Sequence, residues 1–238
     1  MMENGISPTM AYWVIFIGVA VISWLVQLNL KNKFEKYSKV RSFGGLTGRE
    51  MAERMLRDNG IMDVSVVCTS GSLTDHYDPQ TKTVNLSEDV YAGNSVMAAA
   101  VAAHECGHAV QHAYSYAPLS LRSKLVPLVS FASQWMQWVL LIGMIVLSNT
   151  GSTTVLTIGV ALFATTTAFS FITLPVEIDA SRRAVEWLEK ARMVDGATRG
   201  ASVDALRAAA YTYVVAALSS LATLLYYLWM LLGSRNRD

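Results

Sequence analysis

Four stretches of the chain, 10–30, 126–148, 153–174 and 209–232, are almost continuously apolar. A helix needs roughly 20 residues to cross a hydrocarbon core of about 30 Å, so each stretch predicts a transmembrane helix. Between them apolar and polar positions mix. Thr47 stands three residues before Glu50, the pattern of a capping box, and Met51, Met55 and Leu56 then recur at helical spacing until Gly60. This predicts a short amphipathic helix. Val64, Val66 and Cys68 alternate with other residues, and 73–77 and 82–86 flank the turn Asp78-Pro79-Gln80-Thr81. Two or three short strands with a hairpin follow from that pattern. The Ala-rich, proline-free run 95–113 predicts the strongest helix outside the spans. A separate charged helix is expected over 176–190, directly after the third span.

Charge then orients the spans. The first follows a leader, 1–9, that contains Glu3 and no Lys or Arg, and it precedes Lys31, Lys33, Lys36, Lys39 and Arg41. That order is the reverse of a cleaved signal peptide and predicts an uncleaved anchor with its N-terminus outside. Only 148–152 separates spans two and three, so they form a hairpin, with Pro127 expected in the first turn of span two, where a missing N–H costs little. The segments 31–125 and 175–208 then share one face. They hold 11 and 6 basic residues, against 2 in the leader, the hairpin turn and the tail 233–238 together. The positive-inside rule places both in the cytoplasm. Reading 95–112 as a fifth span would strand Arg122, Lys124 and the basic cluster after Pro175 on inconsistent sides.

The expected class is therefore mainly α: a four-span transmembrane helical protein with a small cytoplasmic α+β lobe. Composition agrees, because 53% hydrophobic and 16% charged residues over 238 exclude disorder and an ordinary soluble domain. A formal net charge of +1 gives nucleic-acid binding no support. Cys68 and Cys106 lie far apart, the second inside a helical motif, and are expected as free thiols in a reducing compartment.

The candidate chemistry lies in His104-Glu105-Cys106-Gly107-His108. Four-residue spacing on a helix stacks two imidazoles on one face about 6 Å apart. Both can then reach one Zn²⁺ at about 2.0 to 2.1 Å, with Glu105 directed at a water on the metal. The setting is Ala and Val, where unpaired ionisable groups are costly, and three of the four histidines share this helix.

Such a site needs a third protein ligand. His112 continues the series but lies a turn too far along a straight helix, which leaves it a supporting or surface role. Glu177, just after Pro175, returns to the same membrane face once the hairpin is closed, although a carboxylate there also suits a helix N-terminus. Asp179 is the reserve ligand, and Ser181, one turn on, is placed to face the same way as Glu177. His76 and Tyr77, on a predicted strand, are candidates to lie beside substrate. Tyr114, Tyr116, Tyr211 and Tyr213 are candidates to stabilise an oxyanion, among which nothing chooses. Arg182, Arg183 and Arg207 are expected as interfacial anchors.

The blocks 73–79, 86–88, 102–111 and 174–184, in this order and at these separations, resemble the YugP-type family of bacterial neutral zinc metallopeptidases of the membrane. The resemblance covers most of the chain. It implies an inner-membrane zinc hydrolase acting on peptides or membrane proteins, with His104 and His108 as metal ligands and Glu105 as the catalytic carboxylate. It also favours Glu177 as the third ligand. A more distant similarity is to the HtpX-type and CAAX-prenyl-type membrane proteases. In those, the third-ligand glutamate is followed four residues later by an aspartate, where this chain has Ser181. Two other readings compete: a site-2-type intramembrane protease using Asp195, and a non-catalytic membrane scaffold that keeps a metal.

Overall fold

The computed structural model describes residues 8–235. Most of the leader and the last residues of the tail lie outside the described residues. Ten elements follow in order: α1 (Pro8–Ser38), α2 (Gly48–Asp58), β1 (Ser65–Thr69), β2 (His76–Asp78), β3 (Thr83–Ser87), α3 (Glu88–Tyr91), α4 (Val96–Ala113), α5 (Ala117–Thr150), α6 (Thr154–Lys190) and α7 (Gly196–Arg235). The protein is mainly helical, with a small three-stranded sheet. α1, α5, α6 and α7 are long and apolar enough to cross a membrane.

Two compact units divide the chain. One takes the described part of Met1–Leu25, with Leu121–Ile172 and Tyr213–Asp238. Here Leu140, Leu156 and Val160 form a buried cluster, with Leu224 and Tyr227 packed on it. A Cβ on Gly143 would lie 2.6 Å from the Cα of Leu156, so the glycine is what lets α5 and α6 close on each other. Large apolar side chains such as Phe16, Trp24, Phe131, Trp138 and Ile142 are exposed. Such surfaces are stable against hydrocarbon, and helices can face it because their backbone bonds are satisfied internally.

The second unit takes Val26–Ser120 and Thr173–Thr212. α4 is its axis and is buried along nearly its whole length. The Ser95 side chain caps it by accepting from the Ala98 N–H at 3.1 Å. That burial overturns the five-span alternative, because α4 packs within a protein core and is absent from the apolar spanning helices. α2 lies against α4 through Met51, Ala52 and Met55, all almost fully buried. Its capping box forms as expected, with Thr47 N–H donating to Glu50 Oε2 at 2.8 Å. The sheet order is β1-β3-β2, with β1 parallel and β2 antiparallel to central β3. Val84 and Leu86 point from β3 into the core, as period-two alternation requires. At the start of α7, Asp204 binds both Lys33 and, at 2.5 Å, the Tyr37 hydroxyl of α1. Cys68 and Cys106 are both free.

Two proline expectations are corrected. Pro127 lies well inside α5, and Pro175 lies inside α6, so 176–190 is not a separate helix. Each proline removes one backbone bond, and its ring crowds the carbonyl four residues back. With little water to compete for the neighbouring carbonyls, the rest of the helical ladder continues through.

Replacing Thr47 with Ala should lower stability by about 1 kcal/mol, read from denaturant unfolding in detergent. Hydrogen bonds from the Thr47 backbone and side chain hold the Glu50 carboxyl below its ordinary range. Its contribution is therefore complete above the unfolded pKa and fades as pH falls through the folded one. The stability gap between wild type and Thr47→Ala should narrow on acidification across that window.

Candidate metal centre

α4 presents one face to α6. Residues 104, 107, 108 and 111 follow helical spacing on α4, as 176, 177, 180 and 181 do on α6. At the crossing stands Gly107. A Cβ there would sit 2.6 Å from the carbonyl oxygen of Ala180 and 3.1 Å from its Cα. No side chain fits, so the two backbones are in contact.

That contact brings three ligand atoms together. Glu177 Oε2 lies 3.3 Å from His104 Nε2 and 3.5 Å from His108 Nε2. The two rings stand edge to face, with centroids 4.8 Å apart and an interplanar angle of 83°. The ligand atoms of all three residues lie within 4.8 Å of one another. Bonds of about 2.1 Å to a tetrahedral ion separate the ligand atoms by roughly 3.4 Å, so this donor set fits Zn²⁺. Glu105, His108 and Glu177 are buried, and His104 is nearly so. Burial favours the neutral His108 ring, yet the Glu177 hydrogen bond and the nearby Glu105 charge hold its pKa above the ordinary value. The spot between the three groups thus favours positive charge, which a metal ion supplies.

Polar side chains support the ligands from behind. Ser181 Oγ lies 3.1 Å from His104 Nδ1. Gln111 Oε1 lies 3.0 Å from His108 Nδ1, and its Nε2 donates to Val176 O at 2.8 Å and Asp179 Oδ2 at 2.9 Å. Asp179 also accepts from Arg182 at 2.5 Å and Arg183 at 2.6 Å. This corrects one expectation: Asp179 is committed to two guanidiniums and an amide rather than held as a ligand.

Other candidates stand apart from the cluster. His112 is exposed, with Nδ1 2.8 Å from the Tyr77 hydroxyl, and His76 is exposed with Nδ1 2.8 Å from Thr74 O. Asp195 is exposed and caps the start of α7, accepting from Thr198 N–H at 2.7 Å and Ala197 N–H at 3.0 Å. The site-2-type arrangement therefore has no third ligand there. Tyr116 lies under the Arg183 guanidinium, and Tyr114, Tyr211 and Tyr213 are exposed. Gly107 and Gln111 carried no signal beyond their residue types, since each acts on a partner some 70 positions away.

A histidine pair with a glutamate from a second helix, in a chain with four apolar spans, has the make-up of a membrane zinc metallopeptidase. Residues 12–232 match the family described as "Putative neutral zinc metallopeptidase", and the chain belongs to it. The resemblance read from the sequence blocks is borne out, and zinc is the family's metal. A relative from Bacillus subtilis (strain 168), "Putative membrane protease YugP", is 43% identical over 226 residues, 94% of this chain and 99% of its own length. No solved structure matches.

Gly107→Ala forces a methyl against the Ala180 backbone, and overpacking of this kind costs about 1–3 kcal/mol. The substitution should also part the helices and lower zinc content, measured by elemental analysis beside wild type.

Proposed function

We propose that the protein hydrolyses peptide bonds of peptides or membrane-protein segments, with zinc held by His104, His108 and Glu177 and the site on the cytoplasmic face of a bacterial plasma membrane. The observation that carries this reading is the convergence of three ligand atoms from two helices within 4.8 Å. The relative's name, a membrane protease, supports the substrate class. The 17 basic residues of the two segments 31–125 and 175–208 support the cytoplasmic side.

Bound zinc supplies Lewis acidity toward the scissile carbonyl and acidifies water at the site. Glu105 follows His104 directly and is buried beside it. Its carboxylate takes the proton shed by the attacking water and returns it to the amine nitrogen as the C–N bond breaks. Ser181, bonded to His104 Nδ1, steadies that ring. β2 pairs with β3 alone among the described strands, so its other edge can take an extended peptide, beside His76 and Tyr77.

Glu105→Gln should keep its zinc and lose casein hydrolysis by at least about 100-fold, the usual contribution of a positioned acid–base group. Turnover at the wild-type rate would remove Glu105 from the mechanism. Glu177→Ala should lose the metal, as elemental analysis would reveal. A wild type that binds zinc and cleaves nothing would favour the scaffold reading. For the membrane side, exposed Cys68 is the reporter, because Cys106 is buried. A membrane-impermeant maleimide should label Cys68 in inverted vesicles and spare it in right-side-out ones; the opposite pattern would put the sheet outside the cell.

A further inference from the structure

We propose that Gln111 is a positioning residue of the metal site, one amide that fixes the His108 ring with its proton on Nδ1 and ties that ring to the backbone presenting Glu177. The inference rests on the zinc reading above.

The orientation of the amide is dictated by its partners. One end lies 2.8 Å from the Val176 carbonyl and 2.9 Å from Asp179 Oδ2. A carbonyl only accepts, and Asp179 is a carboxylate engaged by Arg182 and Arg183, so it accepts as well. That end must be the NH₂, and both of its hydrogens are used. The other end is therefore the oxygen, 3.0 Å from His108 Nδ1. An amide oxygen carries no hydrogen, so Nδ1 must donate. A neutral imidazole has one N–H, which leaves the lone pair on Nε2, the nitrogen that faces Glu177 at 3.5 Å.

Reversing the amide would set its oxygen against two acceptors in a place where Gln111 is fully buried. Such unsatisfied groups are expensive there, so the orientation is locked. His104 differs. Its Nδ1 partner, Ser181, is a hydroxyl that can donate or accept, and it dictates neither tautomer. Gln111 also spans the helix crossing, because Val176 immediately precedes Glu177. One side chain thus sets the donor atom of one ligand and braces the metal-free crossing beside another.

Two variants of the full-length protein in detergent separate these roles, with zinc affinity measured by competition against a chromogenic chelator. Gln111→Met keeps the volume and loses every hydrogen bond, and zinc affinity should fall by about 10- to 100-fold. Gln111→Glu keeps an acceptor for the His108 Nδ1–H and sets its second oxygen against Val176 and Asp179, two acceptors that the amide served as donor. It should hold zinc within about threefold of wild type while its metal-free form melts lower. Wild-type affinity in the Met variant, or a loss in the Glu variant as large as in Met, would make Gln111 a mere strut and overturn the proposal. If the Met variant fails to fold, a loss of about tenfold or more in the Glu variant alone overturns it. A wild type without zinc would sink the metal reading first, and this inference with it; a zinc-loaded wild type beside an unaffected Met variant would sink only the inference.

Discussion

The contact between Gly107 and the backbone of Ala180 is the constraint on which the site depends. Glutamate is a short reach from its own helix axis, and Glu177 must bring one oxygen to two imidazoles on a neighbouring helix. A crossing opened by even one methyl would strand it. The same closeness lets Gln111 bond backbone on the opposite helix, and lets Ser181 reach His104. Five ionisable or amide side chains, Glu105, His108, Gln111, Glu177 and Asp179, are thereby buried within a few turns. Unpaired, each would be costly in such surroundings. The narrow crossing gives Gln111 and the His–Glu cluster their partners, and Arg182 and Arg183 of the same helix serve Asp179.

The rest of the second unit keeps α4 in place. Its alanines are thin enough for neighbours to approach from several sides, and the bulk is supplied from outside by Met51 and Met55 of α2, Val84 and Leu86 of β3, and Leu188 of α6. Burying a side chain of this size contributes roughly 1.5–3 kcal/mol. The helix of the histidine pair therefore contributes little packing volume of its own, and its polar face is held against α6 by apolar pressure from behind.

Local signals in the sequence carried far. The Thr47–Glu50 box, the turn after Asp78 and the four apolar stretches each announce themselves within a few residues, because their physics is local. The histidine pair was equally legible, since helical periodicity alone places both rings on one face. Partners across the fold were not. Nothing near Gln111 announces Val176 or Asp179, and nothing near Gly107 announces Ala180. Asp179 read as a reserve ligand, and its amide partner Gln111 stands on another helix. Pro175 misled in the other direction: in water it would end a helix, and here the ladder passes through it.

Cys106 sits between the two histidines in sequence and on the other side of the helix in space. Its sulfur lies 3.6 Å from the Ala52 carbonyl, and complete burial pushes the thiol pKa far up. Turned to that carbonyl, the sulfur offers no atom to the His104, His108 and Glu177 cluster. The candidate donor set is thus all nitrogen and oxygen despite a cysteine in its motif, and lacks the soft anchor that thiophilic ions such as cadmium or mercury prefer.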